Sequence, residues 1–228
     1  MTATERKMSN IDLVIFDFDG VLVDSETMGC QIWSDVFAKH GMTVPAQDIL
    51  EKYTGKTGTL ICSLIEREYG YEIPDNFLDE VNETTESVMA KELKTVDGVA
   101  ETMPLLKTPV CIASGSRPKR LNMCLDVTGL RKYFPDETVF SSHYVKNGKP
   151  APDIFLYAAE KMRVAPRKCL VVEDSASGIV GAKAAGMRAF GFVGASHCTP
   201  ARGVQLTQSG AELLFGDFTE LPALIEKA

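Results

Sequence analysis

The stretch Leu13-Val14-Ile15-Phe16-Asp17-Phe18-Asp19-Gly20-Val21-Leu22-Val23-Asp24 decides how the rest of the chain is read. Its first four residues form an unbroken apolar run, the pattern of a short strand buried on both faces of a parallel sheet. Asp17 is the first residue past that run. It is therefore expected at the carboxyl edge of the sheet, where open α/β folds bind their ligands. Asp19 follows two residues later, and the Asp-Gly step after it forces a turn. Two carboxylates at this spacing can serve one metal ion while pointing in different directions. A single aspartate after a strand is more commonly a helix cap or an Asx-turn. An EF-hand loop fits poorly, because a hydrophobic strand precedes Asp17 and the Asp-x-Asp-x-Asp-Gly register is missing.

Working outward, three further runs share the character of the first: Val110–Ala113, Cys169–Val172 and Ala189–Val193. Helical patterns lie between them, so strands and helices alternate. That order argues for an α/β fold with a parallel sheet covered by helices on both faces. One helix is expected after Pro152, with Ile154, Phe155, Ala158, Ala159 and Met162 on one face. Another is expected from Ser175 to about Ala185, ending at Gly186. A last strand and helix fit Glu212–Phe215 and Thr219–Glu226, and Pro104 should kink or shorten a helix near Val99–Leu106. The segment from about Ser25 to Leu93 has no strong strand run. It reads as four amphipathic helices, Glu26–His40, Ala46–Tyr53, Thr59–Tyr69 and Asn76–Lys91, broken at Gly41, Gly55 and Gly70. A helical insertion thus interrupts the α/β unit directly after its first strand.

Three more motifs fall at or near strand ends. Ala113-Ser114-Gly115-Ser116 sets a hydroxyl beside a glycine, where backbone N–H groups can approach an anionic oxygen. By itself it is ordinary turn material. Asn147-Gly148-Lys149-Pro150-Ala151-Pro152-Asp153 holds a lysine on a stiff segment ahead of a helix; it can neutralise a phosphate or simply be an exposed loop lysine. Val172-Glu173-Asp174-Ser175 adds a second acidic pair at a strand edge, either an N-cap or hard oxygen ligands for Mg²⁺.

Each signal is modest, but their order is highly specific. The quartet DFDGV, SGS, GKPAPD and EDS resembles the haloacid dehalogenase superfamily over essentially the whole chain. The resemblance is strongest to the branch with a helical cap, which holds small phosphatases and phosphosugar mutases related to β-phosphoglucomutase. It implies a Rossmann-like core of residues 1–23 and 94–228, a helical cap domain of residues 24–93, and hinges near Leu22–Ser25 and Lys91–Asp97. It also implies roles. Asp17 attacks phosphorus to form an aspartyl-phosphate, and Asp19 acts as acid and then base. Closure of the cap must desolvate Asp19 for it to serve as an acid near neutral pH, since an unperturbed aspartate titrates at about 3.9. Mg²⁺ is held by Asp17, the Asp19 backbone carbonyl, Glu173 and Asp174. Ser114, Gly115 and Lys149 bind the transferring phosphoryl group. Relatives that break other bonds typically lack the second aspartate, so Asp19 favours phosphate esters.

Substrate choice is expected to lie in the cap, where the loop Lys52–Gly58 offers Thr54 and Lys56. A plain helix connection is the alternative. The mutases carry an arginine in the corresponding loop that grips a second phosphate, and this loop has none. Arg117 and Lys119 are further options for a substrate anion, or are solvated surface charges. The histidines at 40, 143 and 197 have no ligand spacing, and Trp33 with Phe37 reads as core of the cap.

The expected function is therefore Mg²⁺-dependent hydrolysis of a small phosphorylated metabolite, with sugar phosphates foremost. A phosphosugar mutase is the alternative. A non-catalytic phospho-ligand binder is disfavoured, because binding alone does not require a nucleophile. The chain has 228 residues and is 45% hydrophobic, with 24 Lys plus Arg against 31 Asp plus Glu, a net charge of −7. Such a surface repels nucleic acid and anionic lipid. The six cysteines form no CxxC pair, the N-terminus shows no apolar export signal, and no apolar run approaches 18 residues. A cytoplasmic monomer is expected.

Overall fold

A computed structural model describes residues 11–54 and 56–228. The N-terminal stretch searched for an export signal falls mostly in residues 1–10, outside the described residues. Gly55, expected as a break, also lies outside them.

The elements follow the order β1 (Leu13–Phe16), α1 (Glu26–Lys39), α2 (Ala46–Tyr53), α3 (Gly58–Tyr69), α4 (Phe77–Glu92), α5 (Val99–Thr102), β2 (Val110–Ser114), α6 (Pro118–Val127) and β3 (Val139–Ser141). They continue with α7 (Asp153–Lys161), β4 (Cys169–Glu173), α8 (Ala176–Ala184), β5 (Arg188–Phe192), α9 (Pro200–Gln208), β6 (Leu213–Phe215) and α10 (Leu221–Lys227). The six strands form one parallel sheet in the order β3-β2-β1-β4-β5-β6. From β1 the chain fills one side of the sheet through β2 and β3, then crosses back to place β4 on the other side. The direction of winding therefore reverses at the β1/β4 boundary, and the crevice beyond its strand ends is the natural ligand site.

The period-2 geometry of a strand explains why these runs are apolar throughout. Leu13 and Ile15 pack with Cys111, Ala113, Cys169 and Val171 under α7 and α8. Val14 and Phe16 face the opposite core, with Ile112, Leu170, Val172, Phe190 and Phe192. A third cluster sits within α1–α4, built on Phe37 and Phe77, whose rings stack with centroids 4.4 Å apart, and on Trp33, 5.8 Å from Phe77. Phe37 is thus a core residue of the helical insertion, and Trp33 packs against the same cluster while only partly buried. Met89 and Leu93, at the end of α4, pack into the cluster on the sheet instead.

The two segments joining the insertion to the sheet pair with each other. Asp24 N donates to Lys94 O at 3.1 Å, Val96 N donates to Leu22 O at 3.1 Å, and Val23 bridges Thr95.

The sheet differs from expectation in one strand. β3 is three residues long, too short for a period to register in the sequence, and only its pairing with β2 through Ile112–Ser114 defines it. Pro104 acts as anticipated: α5 stops at Thr102, and Met103–Leu105 tightens into a 3₁₀ turn.

Candidate active site

Asp17 continues β1 by one residue, its N–H donating to Val172 O of β4 at 2.9 Å. Its carboxylate is thereby held at the β1/β4 boundary. Lys149 Nζ donates to Asp17 Oδ1 and to Glu173 Oε1, each at 2.6 Å, and lies 5.2 Å from the centroid of the Phe155 ring. The lysine side chain is 11% exposed, Asp17 12% and Glu173 not at all. Burial opposes the ammonium charge, but Asp17 and Glu173 outweigh it and raise the Lys149 pKa, so this lysine stays protonated. Burial is also the largest influence on Asp17. With the nearby Glu173 and Asp174 carboxylates, it pushes the Asp17 pKa up against the pull of Lys149.

Glu173 accepts from Lys149, from Ser175 N at 2.9 Å and from Ser175 Oγ at 2.8 Å. A Cβ on Gly178 would fall 1.8 Å from Glu173 Oε1, so the first turn of α8 leaves room for this carboxylate only because residue 178 has no side chain. Asp174 accepts through Oδ2 from His197 Nε2 at 2.8 Å. Gly20, at φ +79°, lets the turn after β1 close over the pair: a Cβ there would lie 2.5 Å from Asp174 Oδ2.

Asp17, Glu173 and Asp174 each offer an oxygen within 4.8 Å of the others. The donors are hard oxygens, and the three buried carboxylates outnumber their two buried basic partners, Lys149 on Asp17 and Glu173 and His197 on Asp174. This donor set fits a hard divalent cation.

Asp19 lies beside this cluster. Its Oδ1 accepts from Ser25 Oγ and Arg120 Nη2, both at 2.6 Å, and its Oδ2 accepts from Ser116 Oγ at 2.7 Å. Burial tends to raise its pKa, but Arg120, Ser116 and Ser25 together bring it below the usual carboxylate range. Desolvation by closure of the cap is the expected means of making Asp19 an acid. In this arrangement that does not hold, because a guanidinium and two hydroxyls hold the charged form. Ser114 is buried at the end of β2, where its Oγ accepts from Ser116 N at 3.0 Å; Gly115 is exposed beside it.

A cleft of about 880 Å³ opens over these groups, reaching from the strand ends to the insertion. Residues 11–186 match the haloacid dehalogenase-like hydrolase family. The chain belongs to that family. It is 34% identical over 196 residues to a phosphorylated carbohydrates phosphatase of Thermotoga maritima, covering 80% of this chain and 86% of the relative. It is 27% identical over 194 residues to a 6-phosphogluconate phosphatase of Escherichia coli (strain K12), covering 85% and 87%. A haloacid dehalogenase-like protein of unknown function from Agrobacterium tumefaciens superposes with a TM-score of 0.87 at 38% identity, covering 95% of this chain and 98% of that one.

In this hydrolase Thr54, Lys56 and Arg117 all line the cleft. Thr54 Oγ1 donates back to Leu50 O at 2.7 Å, and Lys56 Nζ to Lys52 O at 2.6 Å, so both are folded onto the end of α2. Lys119, considered beside Arg117 for a substrate anion, instead reaches Glu86 of α4 at 2.7 Å. Three site groups escaped the sequence reading as individuals, Ser25, Ser116 and Arg120, and a fourth, His197, was set aside there for want of ligand spacing. The Ser116–Arg120 pair had a readable signal, since i,i+4 spacing across the start of α6 brings Nη1 to within 2.9 Å of Oγ. His197 had only its location beyond β5. Glu26, in the first turn of α1, also lines the cleft; burial, then Asp19 and Asp174, push its pKa up to about 7. Among the described residues, no helix is long and apolar enough to cross a membrane.

Proposed function

We propose that this hydrolase removes the phosphoryl group from a small phosphorylated carbohydrate by way of an aspartyl-phosphate on Asp17. The observation that carries the reading is the Asp17 carboxylate, gripped by Lys149 within a carboxylate cluster at the switch point and flanked by Asp19. The sugar-phosphate phosphatases among its relatives support the substrate class.

Asp17 attacks phosphorus as the bond to the leaving sugar oxygen breaks, and Asp19 supplies that oxygen with a proton. Asp19 then takes a proton from water as the water attacks the acyl-phosphate, releasing inorganic phosphate and restoring the Asp17 carboxylate. Lys149 stays protonated throughout, neutralising the phosphoryl oxygens and holding Asp17 in line, while Ser114 and the backbone at Gly115 donate to the same oxygens. Residues 24–93 act as a cap that turns on the paired linkers and excludes water when closed. For Asp19 to donate a proton, that movement must loosen its contact with Arg120. Asp17, the Asp19 backbone carbonyl and Asp174 would hold Mg²⁺, with Glu173 completing the cluster or orienting it. When bound, the ion supplies the positive charge that lets an anionic nucleophile approach an anionic phosphate.

The test is phosphate release from a panel of sugar phosphates, with Mg²⁺ or with EDTA, for the native protein and Asp17→Asn, with product isomers analysed in the same reactions. Release that needs Mg²⁺ and vanishes in the variant supports the proposal. Conversion of a hexose phosphate to its positional isomer with little free phosphate would make the protein a mutase. Release by Asp17→Asn at near-native rates would end the covalent route.

A further inference from the structure

His197 is the one buried histidine among the described residues, and its place in the fold is unusual for an imidazole. It lies in the loop between β5 and α9, past the carboxyl edge of the sheet, with its side chain fully inaccessible. Nε2 meets Asp174 Oδ2 at 2.8 Å, while Nδ1 is buried and has no hydrogen-bond partner among the described residues. An orphaned buried polar atom typically costs about 1–3 kcal/mol, a penalty that an apolar side chain would avoid. What an imidazole adds at this position is the Asp174 contact, with the Cys198 thiol 3.7 Å from the same nitrogen.

The loop around it is anchored for that contact. Cys198 N donates to Ala195 O at 3.0 Å, closing a turn on His197. Ser196 Oγ donates to Asp24 Oδ1 at 2.8 Å and lies 2.8 Å from Thr27 Oγ1. One residue of the loop is tied to the linker and to the start of α1, and the next grips Asp174. On the opposite side Gly20 closes down until no Cβ fits between it and the His197–Asp174 pair.

We propose that His197 is a positioning residue for the cation site: its hydrogen bond fixes the Asp174 carboxylate in the orientation that groups it with Asp17 and Glu173. This inference rests on the cation reading given above. A carboxylate free to rotate about its terminal torsion spends only part of its time oriented for binding, and a hydrogen bond from a fixed neighbour removes that freedom. Removing such an outer partner typically weakens metal affinity by about 10- to 100-fold.

The test is direct calorimetric titration of Mg²⁺ into EDTA-stripped, desalted protein, with no substrate and no turnover. Three variants are compared with the native chain. His197→Gln places an amide nitrogen near the position of Nε2, His197→Asn is too short to reach, and His197→Phe fills the space without a donor. Folding of each is checked by circular dichroism and by its melting transition in EDTA. The expected result is a Kd raised about tenfold or more in the Asn and Phe variants and within about threefold of native in Gln. If the Phe variant does not fold, the Asn and Gln pair decides. Equal affinities in those two, or native affinity in Asn, overturns the proposal. If none of the three folds, His197 is a structural residue and the proposal is also overturned. Failure of the native protein to bind Mg²⁺ would instead remove the cation site itself.

Discussion

Replacing Glu26 by Gln should change how the stability of this protein depends on pH, in a direction and size that the structure sets. The Glu26 carboxyl is partly buried at the start of α1, with Asp19 and Asp174 close enough to oppose its ionisation. Its pKa rises from an ordinary value of about 4.5 to about 7 in the fold. Below pH 4.5 the group is protonated in both folded and unfolded chains and contributes no pH dependence. Between 4.5 and 7 the unfolded chain gives up the proton while the folded chain keeps it, so stability falls as pH rises. Above 7 the penalty is complete. At about 1.36 kcal/mol per pH unit the full interval amounts to about 3 kcal/mol. Water reaching the partly open carboxyl reduces this to about 2 kcal/mol.

Glutamine carries no charge at any of these values. The stability of Glu26→Gln minus that of the native protein should therefore be near zero at pH 4.5 and rise to about 2 kcal/mol by pH 8. The assay is urea unfolding across that range, in EDTA so that no bound cation offsets the neighbouring carboxylates. A difference that stays flat with pH, or that falls as pH rises, would show that burial and the charges of Asp19 and Asp174 do not hold the Glu26 proton.

Lys149→Met should leave the Asp17 and Glu173 carboxylates buried without their shared cation. Breaking a buried pair in this way costs about 3–5 kcal/mol, measurable as a lower urea midpoint at unchanged slope, and phosphate release should be lost. Gly178→Ala would drive a methyl into the space of Glu173 Oε1; a loss of about 1–3 kcal/mol in urea unfolding is expected, together with reduced turnover. Lys56→Ala, at an exposed position on the cleft, should reorder the ranking of sugar phosphates by kcat/KM while leaving Tm nearly unchanged. An unaltered ranking would make that lysine a surface charge only.

Much of the fold was legible because its elements carry strong local patterns. Leu13–Phe16 and Ala46–Tyr53 form over the very residues their periodicity implies; the first and third helices of the insertion shift by one residue at one end, and the fourth by one residue at both. Those runs are long or strongly apolar, so local preference and tertiary packing agree. Val139–Ser141 escaped because three residues cannot show a period. In the site, Asp17, Ser114, Glu173 and Asp174 were legible from a single geometric fact: parallel strands deliver their last residues to the same edge. Arg120 and His197 reach that edge from a helix and a loop. Their contacts with Asp19 and Asp174 join residues 101 and 23 positions apart, which no local pattern records. The net effect on Asp19 was hidden for the same reason, since burial alone argues for a raised pKa and only the contacts with Arg120, Ser116 and Ser25 reverse it.

The covalent step on Asp17 is the centre of this account, and it can be observed directly. Native protein turning over a good sugar-phosphate substrate with Mg²⁺ would be quenched in acid and reduced with borohydride, which converts an acyl-phosphate at an aspartate to homoserine. Peptide mass spectrometry would then locate the change. The account predicts homoserine at position 17, dependent on substrate and absent from Asp17→Asn. Brisk turnover with residue 17 always recovered as aspartate, or with the label on another residue, would contradict it.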